Sequence, residues 1–308
     1  MRGGTGGSVP DRHKLALRKA DLPELEVREW PVPEPEAARP RERIGLGDLP
    51  IRIVSASVLA PLALLCIWLG GAAWVALVAF GFLGMAAEWV ALCGRRVLAW
   101  PGIAVPLGIL AAGAATAVGR PGLGLGLLAA GAVLSWAAAR GTGRASRLAA
   151  GVLYVGLAAV ALLWLRRSAA GRADVLFLAL VVWASDVGAY SLGRLLGGPK
   201  LAPRISPSKT WAGALGGLLA ATAVGLCVAA GFGDGAGRAA LVAAGLGLAA
   251  QAGDLLESGL KRRFGVKDSG RLIPGHGGLL DRVDGVLAAA PAAALLALAL
   301  GGGVPIWR

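Results

Sequence analysis

The sequence predicts an all-α integral membrane protein, a polytopic bundle of about nine transmembrane helices with a polar site facing the cytoplasm. Three observations carry that expectation. Hydrophobic residues make up 56% of the 308 residues and charged residues 16%, with a mean hydropathy of +0.68; soluble domains hold about 45–50% and about 25%. From Ile51 almost to the C-terminus, apolar runs recur between short polar breaks, each near the roughly 20 residues that cross a bilayer. Glycine and alanine are abundant within those runs, as suits close helix packing in lipid.

Taken in order, residues 1–50 stand apart. The stretch "PVPEPEAARPRER" is Pro-rich and charged, with too little apolar surface to form a core. Residues 1–50 therefore read as a disordered, basic cytoplasmic tail, and 51–308 as a polytopic membrane catalytic domain. No short apolar region follows Arg2, so the start is not a cleavable signal peptide. Spans are expected at roughly 53–69, 72–93, 102–118, 122–139, 148–165, 173–196, 210–231, 238–257 and 284–303. Small pairs such as Gly213 with Gly217 read as helix packing. Internal repeats are absent, which weighs against an inverted-repeat transporter. Cys66, Cys93 and Cys227 lie within or at the ends of apolar runs and read as unbridged, buried small hydrophobes. Trp74, Trp100, Trp164 and Trp307 fall near run ends, as interface anchors do.

The formal charge is +13, and its placement sets the orientation. With the tail inside, the inner breaks carry Arg95 and Arg96, then Arg140, Arg144 and Arg147, then Lys200, Arg204 and Lys209. The outer breaks carry little, except "RRSAAGR" with Arg166, Arg167 and Arg172. The bias places the N-terminus and both polar islands in the cytoplasm of a multi-pass protein of the cell (inner) membrane. Basic runs with interleaved aromatics are lacking, which excludes a nucleic-acid partner.

Chemistry concentrates in "SGLKRRFGVKDSGRLIPGHGGLLDRVDG", Ser258 to Gly285. Asp254 and Glu257 precede it, and Asp281 and Asp284 close it. Each pair is spaced i, i+3 and shares a helix face. Carboxylates without His or Cys partners suit a hard cation such as Mg²⁺, and acids at membrane depth are functional candidates by default. The competing explanation is a helix N-terminus favoured by Asp281 and Asp284, with ion pairs to Arg282 or Lys261. Lys261, Arg262, Lys267 and Arg271 bring more positive charge into the same connection than those acids need, as a phosphate clamp would. Gly275, Gly277 and Gly278 around His276 let backbone N–H groups approach an anion. A second island, "GGPKLAPRISPSKTWAG", offers Ser206, Ser208 and Lys209 before a helix start; it reads either as an anion site or as a basic loop with Ser208 as N-cap. Asp186 is an expected buried acid with Arg194 as its neighbour, either a site residue or half of an ion pair. Glu88, alone in the second span, is left without a role.

The long polar stretch resembles the signature of the phosphatidate cytidylyltransferase family, also called CDP-diacylglycerol synthase. It reads here Ser258-x-Leu260-Lys261-Arg262, Lys267-Asp268, Ile273-Pro274-x-His276-Gly277-Gly278 and Asp281-Arg282-x-Asp284. Gly253-Asp254 matches the family's preceding element, and "ISPSKTWAG" is similar to its "ISPKKTxEG", with Ser208 and Ala212 as departures. The resemblance covers the C-terminal half well and the early spans only in hydropathy. It implies that CTP and phosphatidate give CDP-diacylglycerol and pyrophosphate, with Mg²⁺ and a second cation as candidate cofactors and a homodimer as a candidate assembly. On that resemblance Asp254 and Asp281 are metal acids and Asp284 supports the metal or its waters. Lys261, Arg262, Lys267 and His276 meet phosphates, as do Ser206, Ser208 and Lys209; Ser258, Gly277, Gly278, Arg282 and Asp186 line the substrates. Two rivals stay open. A lipid or phosphate transporter would need a polar path across the membrane, which only Asp186 and Glu88 suggest. A related enzyme acting on another nucleotide or on a polyprenyl phosphate or alcohol would share the same polar residues.

Overall fold

Apolar runs in lipid become helices because every backbone polar group has to be satisfied within its own segment. The computed structural model describes Gly3, residues 48–232, 235–270, Leu272 and residues 277–308. Except for Gly3 and residues 48–50, the expected tail over 1–50 lies outside the described residues. Among them run α1 (Asp48–Leu69), α2 (Gly71–Leu92), α3 (Ala104–Ala117), α4 (Pro121–Ala138), α5 (Ala145–Arg167) and α6 (Gly171–Leu196). An antiparallel hairpin follows, β1 (Lys200–Ala202) and β2 (Ser206–Thr210), then α7 (Trp211–Phe232), α8 (Ala236–Arg263) and α9 (Leu280–Ala299).

Seven of these helices, α2 and α4 to α9, are long and apolar enough to cross a membrane. The 14 residues of α3 rise only about 21 Å, short of the roughly 30 Å hydrocarbon core. Turns at its start and Gly119, at φ +87°, after its end cut the expected 102–118 span short. In α1 the apolar part with described side chains is Ser57–Leu69.

The most enclosed helix is α5, with 67% of its span buried; it packs against α2, α3, α4, α6 and α9. Glycines set the closest approaches. A Cβ at Gly108 of α3 would come within 3.1 Å of the Gly131 Cα of α4, and one at Gly213 of α7 within 2.9 Å of the Ala189 carbonyl of α6. Gly213 and Gly217 are thus packing residues. Two tryptophans are not interface anchors: Trp74 and Trp307 are buried, whereas Trp100 is exposed. Cys66 and Cys93 are buried, but Cys227 is exposed on α7, because its side of that helix faces away from the bundle. Burial pushes the Cys93 thiol up to about 11 despite the opposing pull of Arg147 and Arg144.

Two boundaries move relative to expectation. Helix α8 continues to Arg263, so Lys261, Arg262 and Arg263 form its last turn rather than part of a loop. There their charge faces the negative end of the helix dipole. Helix α9 starts at Leu280 and puts Asp281 in its first turn.

Candidate active site

The site is assembled where the C-terminal end of α8 meets the N-terminal end of α9. Asp254, Glu257 and Lys261 follow one another at i+3 and i+4 on α8, so they share a face. Lys261 Nζ lies 2.7 Å from Glu257 Oε2 and 2.6 Å from Asp281 Oδ1, tying the two helices together. The Asp281 carboxylate also accepts the backbone N–H groups of Ser269 (2.9 Å) and Gly278 (3.1 Å) on Oδ2. The anion that the glycine-rich turn approaches is therefore the protein's own carboxylate. A Cβ at Gly278 would sit 2.8 Å from the Gly270 nitrogen, so only glycine lets these two loop segments meet. Asp284 accepts the N–H of Gly285 at 2.7 Å and lies close enough to Asp254 and Glu257 for their like charges to interact. Gly253 makes that proximity feasible, since a Cβ there would stand 2.6 Å from the Asp284 carbonyl.

Glu88 receives a role here. Buried on α2, it accepts the N–H of Leu279 (2.8 Å), the N–H of Leu280 (2.9 Å) and the hydroxyl of Ser269 (3.2 Å). It caps the free amides at the start of α9 from another helix. Phe264, just past α8, packs edge-on against Trp89, and Arg147 lies over its ring. The Trp89 indole N–H in turn donates to the Arg147 carbonyl at 2.8 Å.

The second island comes to the same place. Its hairpin sends Lys209 to Asp254, Nζ to Oδ2 2.5 Å, while Arg262 Nε donates to the Ile205 carbonyl at 3.3 Å. The cap of α7 is Thr210, whose hydroxyl accepts the Gly213 N–H at 3.1 Å. Ser208 is exposed on β2, two residues too early to cap. Asp186 departs from expectation twice. It is exposed rather than buried, and its electrostatic neighbours are Asp254 and Lys209, because Arg194 instead donates to the Tyr190 hydroxyl. It lies about ten residues, some 15 Å, before the end of α6, at the edge of the cluster.

Asp186, Lys209, Asp254, Glu257, Lys261, Asp281 and Asp284 thus form one cluster. Ser258 and Ser206 are half-buried beside it on α8 and β2; Arg262, Lys267 and Arg282 are exposed around it. His276 and Arg271 lie outside the described residues. Sequence reasoning missed Tyr154 of α5, whose buried hydroxyl lacks a hydrogen-bond partner among the described residues and whose charged neighbours are Glu257, Asp284 and Asp254. Its only signal was a lone polar group in an apolar run. Among the described residues, no three His, Cys, Asp or Glu side chains already converge as a metal site. The donor chemistry still fits a hard cation: all the acids offer oxygen, and ammonium groups already sit on Asp254, Glu257 and Asp281.

The profile of the Cytidylyltransferase family matches residues 50–300. A phosphatidate cytidylyltransferase of Brucella suis biovar 1 is 43% identical over 256 residues, covering 80% of this chain and 92% of that protein. Phosphatidate cytidylyltransferases of Staphylococcus saprophyticus and Staphylococcus haemolyticus are 44% and 48% identical over 142 and 119 residues, spanning 46% and 38% of this chain and 54% and 46% of their own lengths.

Proposed function

This chain belongs to the cytidylyltransferase family, and from that premise we propose that it joins CTP to phosphatidate, giving CDP-diacylglycerol and pyrophosphate. The observation that carries the reading is the mixed cluster at the α8–α9 junction, with Asp186 exposed at its edge partway along α6; we infer that the lipid enters there. One substrate of this reaction is a lipid and the other a soluble nucleotide, and a site at the helix ends with a lateral entry can admit both.

The chemistry asks for charge control more than for a base. An oxygen of the ionised phosphatidate phosphate attacks the α-phosphorus of CTP, and the bond to the pyrophosphate oxygen breaks. Two polyanions must be brought in line, so neutralisation and alignment dominate. Lys261, Arg262, Lys267 and His276 are assigned to phosphate groups, and Ser206, Ser208 and Lys209 to the phosphate of one substrate. Ser258, Gly277, Gly278 and Arg282 line the nucleotide side. Asp254 and Asp281 would hold Mg²⁺, supported by Asp284, and Lys209 and Lys261, which lie against these carboxylates, are placed to meet substrate phosphates. When bound, the metal supplies positive charge against the phosphate oxygens and the leaving group.

The chain is a multi-pass membrane protein, and the Lys/Arg bias supports a cytoplasmic active site in the cell membrane. The decisive experiment incubates the purified full chain in detergent with CTP and phosphatidate, with and without Mg²⁺. Equimolar CDP-diacylglycerol and pyrophosphate, formed only with the metal, is the expected outcome. Transfer to a polyprenyl phosphate, or from another nucleotide, in preference to this pair would overturn the assignment.

A further inference from the structure

The turn between α5 and α6 carries three arginines where the orientation rule expects few. It lies toward the other end of the bundle from the candidate active site, because Asp186, the site residue on α6, stands 15 residues beyond Gly171, a rise of about 22 Å. Two of the three have structural duties. Arg167 Nη1 donates to the Ala117 carbonyl at the end of α3, 2.8 Å. Arg166 Nε donates to the Ile67 carbonyl near the end of α1 at 2.8 Å, and its Nη2 to Trp68 at 3.3 Å. Both offset the negative ends of neighbouring helices. Arg172 has no such duty. It lies over the Trp68 ring, 4.7 Å from the centroid, and close enough to Arg166 for the two charges to repel. Among the described residues neither Arg166 nor Arg172 pairs with a carboxylate.

Arg166, Arg172 and Ser168 line a cavity of about 530 Å³ together with aromatic and apolar residues that include Trp68, Phe232 and Trp307. That volume is in the range of small-ligand sites, roughly 300–1,000 Å³. A second observation at the same place is independent of the arginines. Trp307 is only 4% exposed, packs its ring against Phe177 and Phe232 at 4.7 and 6.2 Å between centroids, and leaves its indole N–H without a partner among the described residues. A buried donor without an acceptor is costly and rare.

We propose that this cavity binds the head group of an anionic phospholipid from the leaflet opposite the candidate active site. The argument is one of complementarity. Two guanidinium groups without a carboxylate partner among the described residues match a phosphate geometrically and electrically, and the indole N–H of Trp307, a residue of the same cavity lining, would supply a third donor. The aromatic wall suits the glycerol and upper acyl segments, which a free inorganic anion lacks. The site gives Arg172 a role on this side, and it does not depend on the reaction proposed above.

The test uses the full-length protein purified in neutral detergent and native mass spectrometry, titrating dioleoyl phosphatidylglycerol against dioleoyl phosphatidylcholine. Phosphatidylglycerol carries a phosphodiester and cannot act as the attacking phosphate in the proposed reaction. The parent protein is expected to bind phosphatidylglycerol more tightly than phosphatidylcholine. Arg172→Gln should weaken that binding about tenfold, the equivalent of one charge-assisted contact, and leave phosphatidylcholine adducts unchanged. Trp307→Phe keeps the ring and removes only the N–H, and a loss of a few-fold for the anionic lipid alone is expected even if Arg172→Gln does not fold. Equal binding of the two lipids, or anionic-lipid binding untouched by both folded variants, would overturn the proposal. Displacement of the lipid by excess inorganic phosphate, with the phosphate retained, would also overturn it by making the site one for a free anion.

Discussion

Lys261, Ser269 and Gly278 all converge on the Asp281 carboxylate, so a single side chain joins the end of α8, the loop and the start of α9. As a proposed metal ligand it has a chemical duty as well. Asp281→Asn keeps the size and one accepting oxygen but removes the charge. Turnover is expected to fall at least about a hundredfold, comparable to losing one electrostatic donor of a transition state, with partial recovery at raised Mg²⁺ or with Mn²⁺. Near-normal turnover of the folded variant at limiting Mg²⁺ would reduce Asp281 to a loop organiser. Asp268→Asn, at an exposed position, should stay close to the parent and serves as the control. Glu88 makes the opposite case. Its three acceptor bonds go to the protein itself, so Glu88→Gln should act through stability, costing about 2 kcal/mol for a lost charged acceptor. A lowered melting temperature with turnover failing in parallel is expected. A normal melting temperature with lost turnover would instead make Glu88 a substrate contact.

At the level of elements, the site depends on how near α8 comes to α9. Gly253→Ala would drive a methyl against the Asp284 carbonyl and the Ala288 side chain, at 2.6 and 2.8 Å. The helices have to part where Asp254 meets Asp284, so turnover should fall at least tenfold by assay while helicity by circular dichroism is kept; an unchanged rate would show that this proximity is dispensable. Most elements were legible because helix formation in lipid follows from apolar run length alone. The polar ends were less so. Hydropathy stops α8 at residue 257, since Lys261 to Arg263 resemble a loop, although a basic last turn is what a helix C-terminus favours. The hairpin escaped notice because β1 has only three residues and Pro203 and Pro207 argue against strands. The carboxylates were found because i, i+3 spacing is local. Glu88 was not placed because its partners lie as far as 192 residues away, and no local pattern encodes such a contact. Asp186 was assigned the wrong neighbour for a related reason: sequence offered only Arg194, while Lys209 and Asp254 arrive through the hairpin and α8.

For the whole molecule, two expectations concern what lies on each side of the bilayer. Removing residues 1–45 should leave the rate of the purified enzyme within a few-fold, since every assigned residue lies beyond; a collapse of rate in a folded truncation would give the tail a direct part in the reaction. A cysteine placed by Ser208→Cys should react with a membrane-impermeant maleimide in inverted vesicles and stay silent in right-side-out ones, and the reverse pattern would flip the orientation. Cys93 should add no background, because burial pushes its thiol up to about 11 and only the thiolate reacts. The exposure of Asp186, partway along a spanning helix, has a kinetic meaning in the proposed reaction. A nucleotide reaches the cluster from three-dimensional solution, while a lipid arriving at that edge diffuses in a plane. The two substrates are then counted in different units, molarity for CTP and mole fraction of the surface for phosphatidate. Diluting the lipid with inert detergent at fixed bulk concentration should slow the enzyme as though substrate had been withdrawn, and adding water alone should slow it only through CTP.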